Sequence, residues 1–196
     1  MTFQPPVPPV VPAGRMASGP QPVLPLDSGL ELRPWQVEDA PVLAAAGRDP
    51  GIRQWNLLAE ETDAQAEQRI ERMHRRRQAE TAVIWAVAGT DGVPVGLIGW
   101  TGIDLAGGSA EIVYWLLPAG RGRGVAVEAT RRISRWAFDD LGLHRLTLCH
   151  SVANPASCRV AGKAGFSYEG TMRGALLHEN GWHDQHLHAL LRSDPA

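Results

Sequence analysis

Cysteine is scarce: the 196-residue chain carries two, Cys149 and Cys158. Two cysteines build no disulfide framework. One falls in an expected strand and the other in an expected helix, so a reducing, cytoplasmic setting is expected. No uninterrupted apolar run is long enough to span a bilayer, so no membrane association is expected. The N-terminus lacks a basic stretch and prolines break up its apolar residues, which does not make a signal peptide. Neither charge sign is in excess: the formal net charge is −2. A near-neutral chain has no global pull toward nucleic acid, so any phosphate binding must be local. There is no internal repeat. What remains is ordinary globular composition, 44% hydrophobic and 20% charged, in a chain long enough for one domain with a substantial core.

Proline is concentrated at the start. Pro5, Pro6, Pro8, Pro9, Pro12, Pro20, Pro22 and Pro25 leave residues 1–27 without periodicity. This reads as a flexible polyproline-like extension, able to lie over the domain or a partner. The domain proper is expected over residues 28–194. Leu30–Trp35 alternates as a first strand, and Glu38 to Ala46 suggests a short helix with Pro41 in its first turn. Gly47–Asn56 reads as a loop. Thr62 and Gln65 make a capping box that opens a helix with Ala66, Ile70 and Met73 inward. Thr81–Ala88 and Val95–Thr101 are strands joined at Asp91-Gly92, a hairpin signal. Later, Asn154 and Pro155 open another helix that Gly165 closes. Asn180-Gly181 marks a last hairpin.

One stretch organises the rest: Glu111-Ile-Val-Tyr-Trp-Leu-Leu-Pro-Ala-Gly-Arg-Gly-Arg-Gly-Val-Ala126. Ile112–Leu117 is β-branched, aromatic and apolar, a buried strand that Pro118 stops. Gly120, Gly122 and Gly124 permit a tight turn, and a helical pattern begins at Val125. A glycine turn opening a helix presents free N–H groups and the positive end of the helix dipole, which favours phosphate. The dipole alone contributes only ~0.3–1 kcal/mol at an exposed site, and Arg121 and Arg123 add charged donors. The Gly-Lys-Ser/Thr of a nucleotide-triphosphate loop is missing. Val127 stands where a dinucleotide fingerprint needs glycine. A plain connector with solvated arginines stays open at this level. The strand His144–His150 follows a helical crossover and should lie parallel to the strand before it.

Arg121-x-x-Gly124-x-Ala126 after an apolar strand resembles the pyrophosphate loop of the GCN5-related N-acetyltransferases. Leu141-Gly-Leu-His-Arg-Leu146, Asn154-Pro-Ala-Ser157, Lys163-Ala-Gly165-Phe166, Glu169-Gly170 and Arg173 follow in the order of the ribosomal-protein-alanine N-acetyltransferase (RimJ/RimL-like) subgroup. The resemblance covers most of Leu30–Arg192. It implies a mixed α/β fold: one mostly antiparallel sheet of about seven strands, two splayed parallel strands within it, and helices on both faces.

The resemblance further implies acetyl-CoA as co-substrate, no metal, an amine acceptor that is a protein N-terminus or small molecule, and a possible homodimer. Main-chain groups at Trp115, Leu116 and Leu117 would pair with the pantetheine arm, and the turn from Arg121 through Gly122, Arg123, Gly124 and Val125 to Ala126 would hold the pyrophosphate. Asn154 would bond the pantetheine or simply cap its helix. Ser157 would protonate the leaving thiolate or serve the same cap. Arg159 and Lys163 share a helix face that meets a nucleotide phosphate or solvent. Glu111 is the expected base, with an exposed strand-end carboxylate as the alternative, and Tyr114 a second candidate acid that strand alternation would bury. Val113 replaces the subgroup's usual glycine, so the acceptor cleft should be reshaped. Trp55 and Trp100 could line that cleft or pack in the core. His183, His186 and His188 invite a zinc reading, but no fourth ligand is identifiable, so a strand facing solvent or the acceptor site is the reading kept. A non-catalytic acyl-CoA sensor and a structural domain with a decayed site are the competing functions.

Overall fold

The computed structural model describes residues 7–56 and 58–195; Pro5 and Pro6 of the proline-rich stretch lie outside them. Eight strands form one sheet: β1 (Leu24–Pro25), β2 (Glu31–Pro34), β3 (Val83–Ala88), β4 (Pro94–Asp104), β5 (Ser109–Leu116), β6 (Arg145–Ser151), β7 (Ser167–His178) and β8 (Gly181–Leu191). Their spatial order is β1-β2-β3-β4-β5-β6-β8-β7. Every neighbouring pair is antiparallel except β5 and β6. Helices α1 (Ala40–Ala46), α2 (Pro50–Asn56) and α3 (Asp63–Gln78) cover one face. Helices α4 (Val125–Arg135), extended by a π-turn over Trp136–Leu141, and α5 (Pro155–Ala164) cover the other.

Coverage on both faces explains why β3 is apolar at every position: all six of its residues are buried. On the α4–α5 side Trp85, Trp100 and Trp136 pack together, with ring centroids 5.2–5.8 Å apart. On the other side Trp35 meets Trp115 at 6.1 Å. The Thr62–Gln65 capping box forms at the start of α3 as expected, with both reciprocal bonds in place.

Two expectations fail. Gly47–Asn56 is not all loop, because α2 occupies Pro50–Asn56. Asp49 caps it, its Oδ1 accepting from the Ile52 N–H at 2.8 Å, and Pro50 takes the first helical position. The proline-rich segment, expected to be flexible, is packed in its described part. Leu24 and Pro25 pair with Leu32 and Glu31, giving an eighth strand where about seven were expected. Val11, Met16, Leu24 and Leu26 are buried against the β3 and α4 core. The Glu80 carboxylate gathers the N–H groups of Gly14, Met16 and Ala17 at 2.5–3.1 Å. The buried Arg77 donates to the Met16 and Gly19 carbonyls. Prolines remove backbone donors that an extended segment would otherwise bury unpaired, so such a segment can lie on a core without a strand partner for every residue.

Candidate active site

Strands β5 and β6 pair only from Ser109–Ile112 to Arg145–Leu148. Beyond that point they diverge, while β5 stays paired to β4 through Leu116. The gap opens into a cleft of about 740 Å³, in the size range of small-molecule sites. The N–H of Leu117 donates to the Val95 carbonyl on the β4 side, while Thr147 Oγ1 donates to the Ala110 carbonyl on the β6 side. Strand alternation therefore turns the main-chain groups of Tyr114 and Leu116 into the gap. Those of Trp115 and Leu117, expected to face a ligand, point to β4 instead. Trp115 is still among the residues lining the cleft, its ring packed on Trp35; Leu117 is not.

At its end β5 runs through the turn Pro118–Gly120 into the glycine loop. Gly122 and Gly124 adopt φ of +76° and +77°, where a side chain would be strained. Gly124 is the N-cap of α4, and the loop lines the cleft with Gly122, Gly124, Val125 and Ala126. Arg123 is exposed and stands outside the cleft lining. Arg121 is committed otherwise than expected. Its Nη2 donates to Asp49 at 2.6 Å and its Nε to the Leu116 carbonyl at 2.9 Å. The guanidinium thus ties α2 to the end of β5. Burial pushes the Asp49 carboxyl up, but the Arg121 bond and the N–H groups of Ile52 and Gly51 outweigh it and hold it below its usual range. Sequence reasoning missed Asp49; its signal was the Asp-Pro pair that starts α2.

Helix α5 supplies the opposite wall. Asn154 Oδ1 accepts from the Ser157 N–H at 3.1 Å, so it does cap the helix, while the residue also lines the cleft. The Ser157 hydroxyl, buried to 9% exposure, lies 2.5 Å from the Tyr114 hydroxyl. Burial pushes the Tyr114 phenol up to about 12, against the opposing pull of the Ser157 bond. Arg159 and Lys163 are exposed at the cleft's edge.

Glu111 sits at the other end, half-buried, where burial raises its carboxyl above the usual range. Burial, and then the neighbouring Glu111 charge, push the Cys149 thiol up to about 12, so it stays protonated. Trp55 on α2 lines the cleft and meets His178 and His183 edge-on, with centroids 5.7 and 6.4 Å apart. Trp100 does not belong to this site. It is fully buried among Trp85 and Trp136, because β4 turns it into the core on the α4–α5 face.

A sheet opened between two parallel strands, with a glycine turn and helix N-terminus at its mouth, defines a binder of an extended, phosphate-bearing ligand. The family model described as "Acetyltransferase (GNAT) domain" matches residues 29–167, and the chain belongs to that family. It is 32% identical over 120 residues to the putative ribosomal N-acetyltransferase YdaF of Bacillus subtilis (strain 168); the match spans 61% of this chain and 66% of that relative, just under two thirds. A solved structure described as a probable acetyltransferase superposes with a TM-score of 0.79 at 26% identity, over 86% of this chain and 96% of the other. The RimL ribosomal L7/L12 alpha-N-protein acetyltransferase, solved with coenzyme A, superposes equally well at 0.79 over 88% and 100% of the two chains, and at 19% identity shares the fold. No helix among the described residues is long and apolar enough to cross a membrane.

Proposed function

We propose that this protein is an acetyl-CoA-dependent N-acetyltransferase whose acceptor is a protein N-terminal α-amine, acetylated by direct attack without a covalent enzyme intermediate. The observation that carries the reading is the gap between β5 and β6, with the glycine turn at one end and Glu111 and the Tyr114–Ser157 pair along it. The edge of β5 that faces the gap, with the Tyr114 main-chain groups and the Leu116 N–H, suits the amide-bearing pantetheine arm; the Leu116 carbonyl is already taken by Arg121. The N–H groups from Gly122 to Ala126, at the positive end of α4, suit its pyrophosphate. The Leu116 N–H faces the gap, where it can meet negative charge developing on the acetyl oxygen without rearranging.

Glu111 is the base in this reading. The nucleophile must be a neutral amine. At pH 7, freeing an α-amine of pKa ~8 costs about 1.4 kcal/mol, whereas a lysine of pKa ~10.4 costs roughly 4.6 kcal/mol. A single carboxylate raised by burial is adequate for the first and weak for the second. That difference, with the ribosomal acetyltransferase names of YdaF and RimL, supports the α-amine. The nitrogen attacks the acetyl carbon, the carbon–sulfur bond breaks, and the departing sulfur takes a proton. In this reading the sulfur lies beside the Tyr114 and Ser157 hydroxyls, which are 2.5 Å from each other. A phenol near 12 remains protonated at neutral pH and so can donate to the thiolate as it leaves.

The experiment is free-thiol release from acetyl-CoA against N-terminal peptides, lysine peptides, polyamines and aminoglycosides. Release with N-terminal peptides alone is the expected result. Release with another amine class refutes the acceptor. Tight acetyl-CoA binding without release from any amine refutes catalysis and leaves an acyl-CoA-binding module.

A further inference from the structure

Four metal-ligating side chains from three elements converge beside α5. His150 comes from β6, His186 and His188 from β8, and Cys158 from α5; one donor atom of each lies within 4.8 Å of all the others. The strand register explains the meeting. His150 is opposite His186, and His188 is opposite Leu148, two residues earlier on β6 and on the same face as His150. Cys158 then reaches the cluster from α5.

The rings are arranged for lone-pair donation. Nδ1 of His150 lies 2.8 Å from the Ser151 carbonyl, to which it can only donate. Its Nε2 is therefore the lone-pair nitrogen, and it points at Nε2 of His188 at 3.2 Å. A backbone carbonyl fixing the far nitrogen of a ring is the usual support for a metal-bound histidine. The two rings stack at 5.2 Å and are each 5% exposed. Nδ1 of His186 is buried with no hydrogen-bond partner among the described residues, while His188, whose Nε2 faces the cluster, has the Phe166 backbone beside its ring.

The spacing has an independent check. Zinc bonds of 2.0–2.1 Å to nitrogen and about 2.3 Å to sulfur, at tetrahedral angles, place neighbouring nitrogens ~3.4 Å apart and nitrogen from sulfur ~3.6 Å. The His150–His188 separation of 3.2 Å already meets the first value. A simple hydrogen bond between these two rings would account for that distance. It would not account for the donor atoms of His186 and Cys158 closing on the same point. Those two are the less buried members and have the freedom to close the remaining edges.

We propose that His150, His186, His188 and Cys158 form a tetrahedral site for a late first-row divalent cation, zinc above all, with three imidazoles and one thiolate as ligands. Imidazole and thiolate are the ligand types that select zinc over magnesium or calcium. The site is structural. Cys158 follows Ser157 directly, so a bound ion ties the start of α5 to β6 and β8. It thereby fixes the wall of the cleft that carries Asn154 and Ser157. The proposal rests on the donor geometry and is independent of the acetyl-transfer reading.

The test is Co2+ titration of the full-length, chelator-dialysed protein, followed by displacement with Zn2+. One Co2+ per chain is expected, with intense visible bands of tetrahedral geometry and a sulfur-to-cobalt charge-transfer band in the near ultraviolet. Zn2+ should abolish both and raise the melting temperature. Cys158→Ser should remove the charge-transfer band while the circular dichroism stays native. His188→Gln should weaken binding by at least about 100-fold, since loss of even a supporting contact of a metal ligand costs 10–100-fold. Absence of stoichiometric Co2+ binding to the wild-type chain would overturn the proposal. So would stoichiometric binding whose spectrum and affinity survive Cys158→Ser and His188→Gln.

Discussion

Replacing Glu111 by Gln tests the proposed chemistry most directly, because it removes the charge and keeps the shape. Positioned general bases contribute ~10²–10⁴-fold, or about 3–5 kcal/mol of barrier. The size of the loss must depend on pH. An α-amine of pKa ~8 is about one-tenth neutral at pH 7 and about nine-tenths neutral at pH 9, so the unassisted route gains roughly tenfold between them. A deficit of ~100-fold at pH 7 should therefore shrink to ~10-fold at pH 9. The wild-type profile carries a second signature. Burial raises the Glu111 carboxyl, the active form is the carboxylate, and so activity should fall as pH drops through a value above the ordinary range of about 4.3. That acid limb should vanish in the variant. The assay is kcat/KM for thiol release with a fixed N-terminal peptide from pH 5 to 9. An equal deficit at pH 7 and pH 9, with the acid limb retained, would mean that Glu111 positions the acceptor and takes no proton.

Three further outcomes are expected. Arg121→Ala should weaken acetyl-CoA binding about tenfold by titration calorimetry, the scale of one lost charged hydrogen bond, with little change in melting temperature because an ion pair whose arginine side chain is 42% exposed contributes ~1 kcal/mol or less. Asp49→Asn should weaken binding by less; an equal loss would show that the arginine acts only by holding α2. In chelator-treated protein, stability should fall as pH drops below about 6.5, because burial holds His150, His178 and His188 below their usual value and the unfolded chain takes up those protons first. Urea midpoints that stay flat from pH 7.5 to 5 would refute this. Removing residues 1–22 uncovers the sites of Val11 and Met16, gross burial of roughly 3–5 kcal/mol; after the entropy of ordering the segment, a loss of about 2 kcal/mol and a melting point lower by ~4–8 °C are expected. An unchanged melting point would mean that the segment contributes no net stability.

The parts of this molecule that a sequence discloses are those set by neighbours along the chain. Ile112–Leu117, Pro118 and the glycines name a strand, a stop and a turn, and all three lie where the pattern put them. Parallel pairing of β5 and β6 follows from the intervening helix in the same way. What escapes is set by partners far away. The guanidinium of Arg121 looked free, because the carboxylate it binds is 72 residues distant. The indole of Trp100 was indistinguishable from that of Trp55 until β4 assigned it a face. The proline-rich segment lacks periodicity because it follows the surface of a core built by other residues. The histidines on β8 gave no fourth ligand, since His150 and Cys158 arrive from two other elements. The Tyr114–Ser157 pair is equally hidden, with 43 residues between its members.

The placement of β1 bears on how the molecule behaves in a crowded solution. A sheet must end somewhere, and each end offers unpaired main-chain groups to any passing strand. Here one end is a two-residue strand whose outermost position is Pro25, which has no N–H to offer. The other end, β7, is twelve residues long but is broken by register shifts near Gly170 and Leu176. Without residues 1–27, β1 included, the protein would present β2 as a fresh border beside the uncovered core. Self-association at rising concentration, more than lost catalysis, is the defect such a truncated chain should show first.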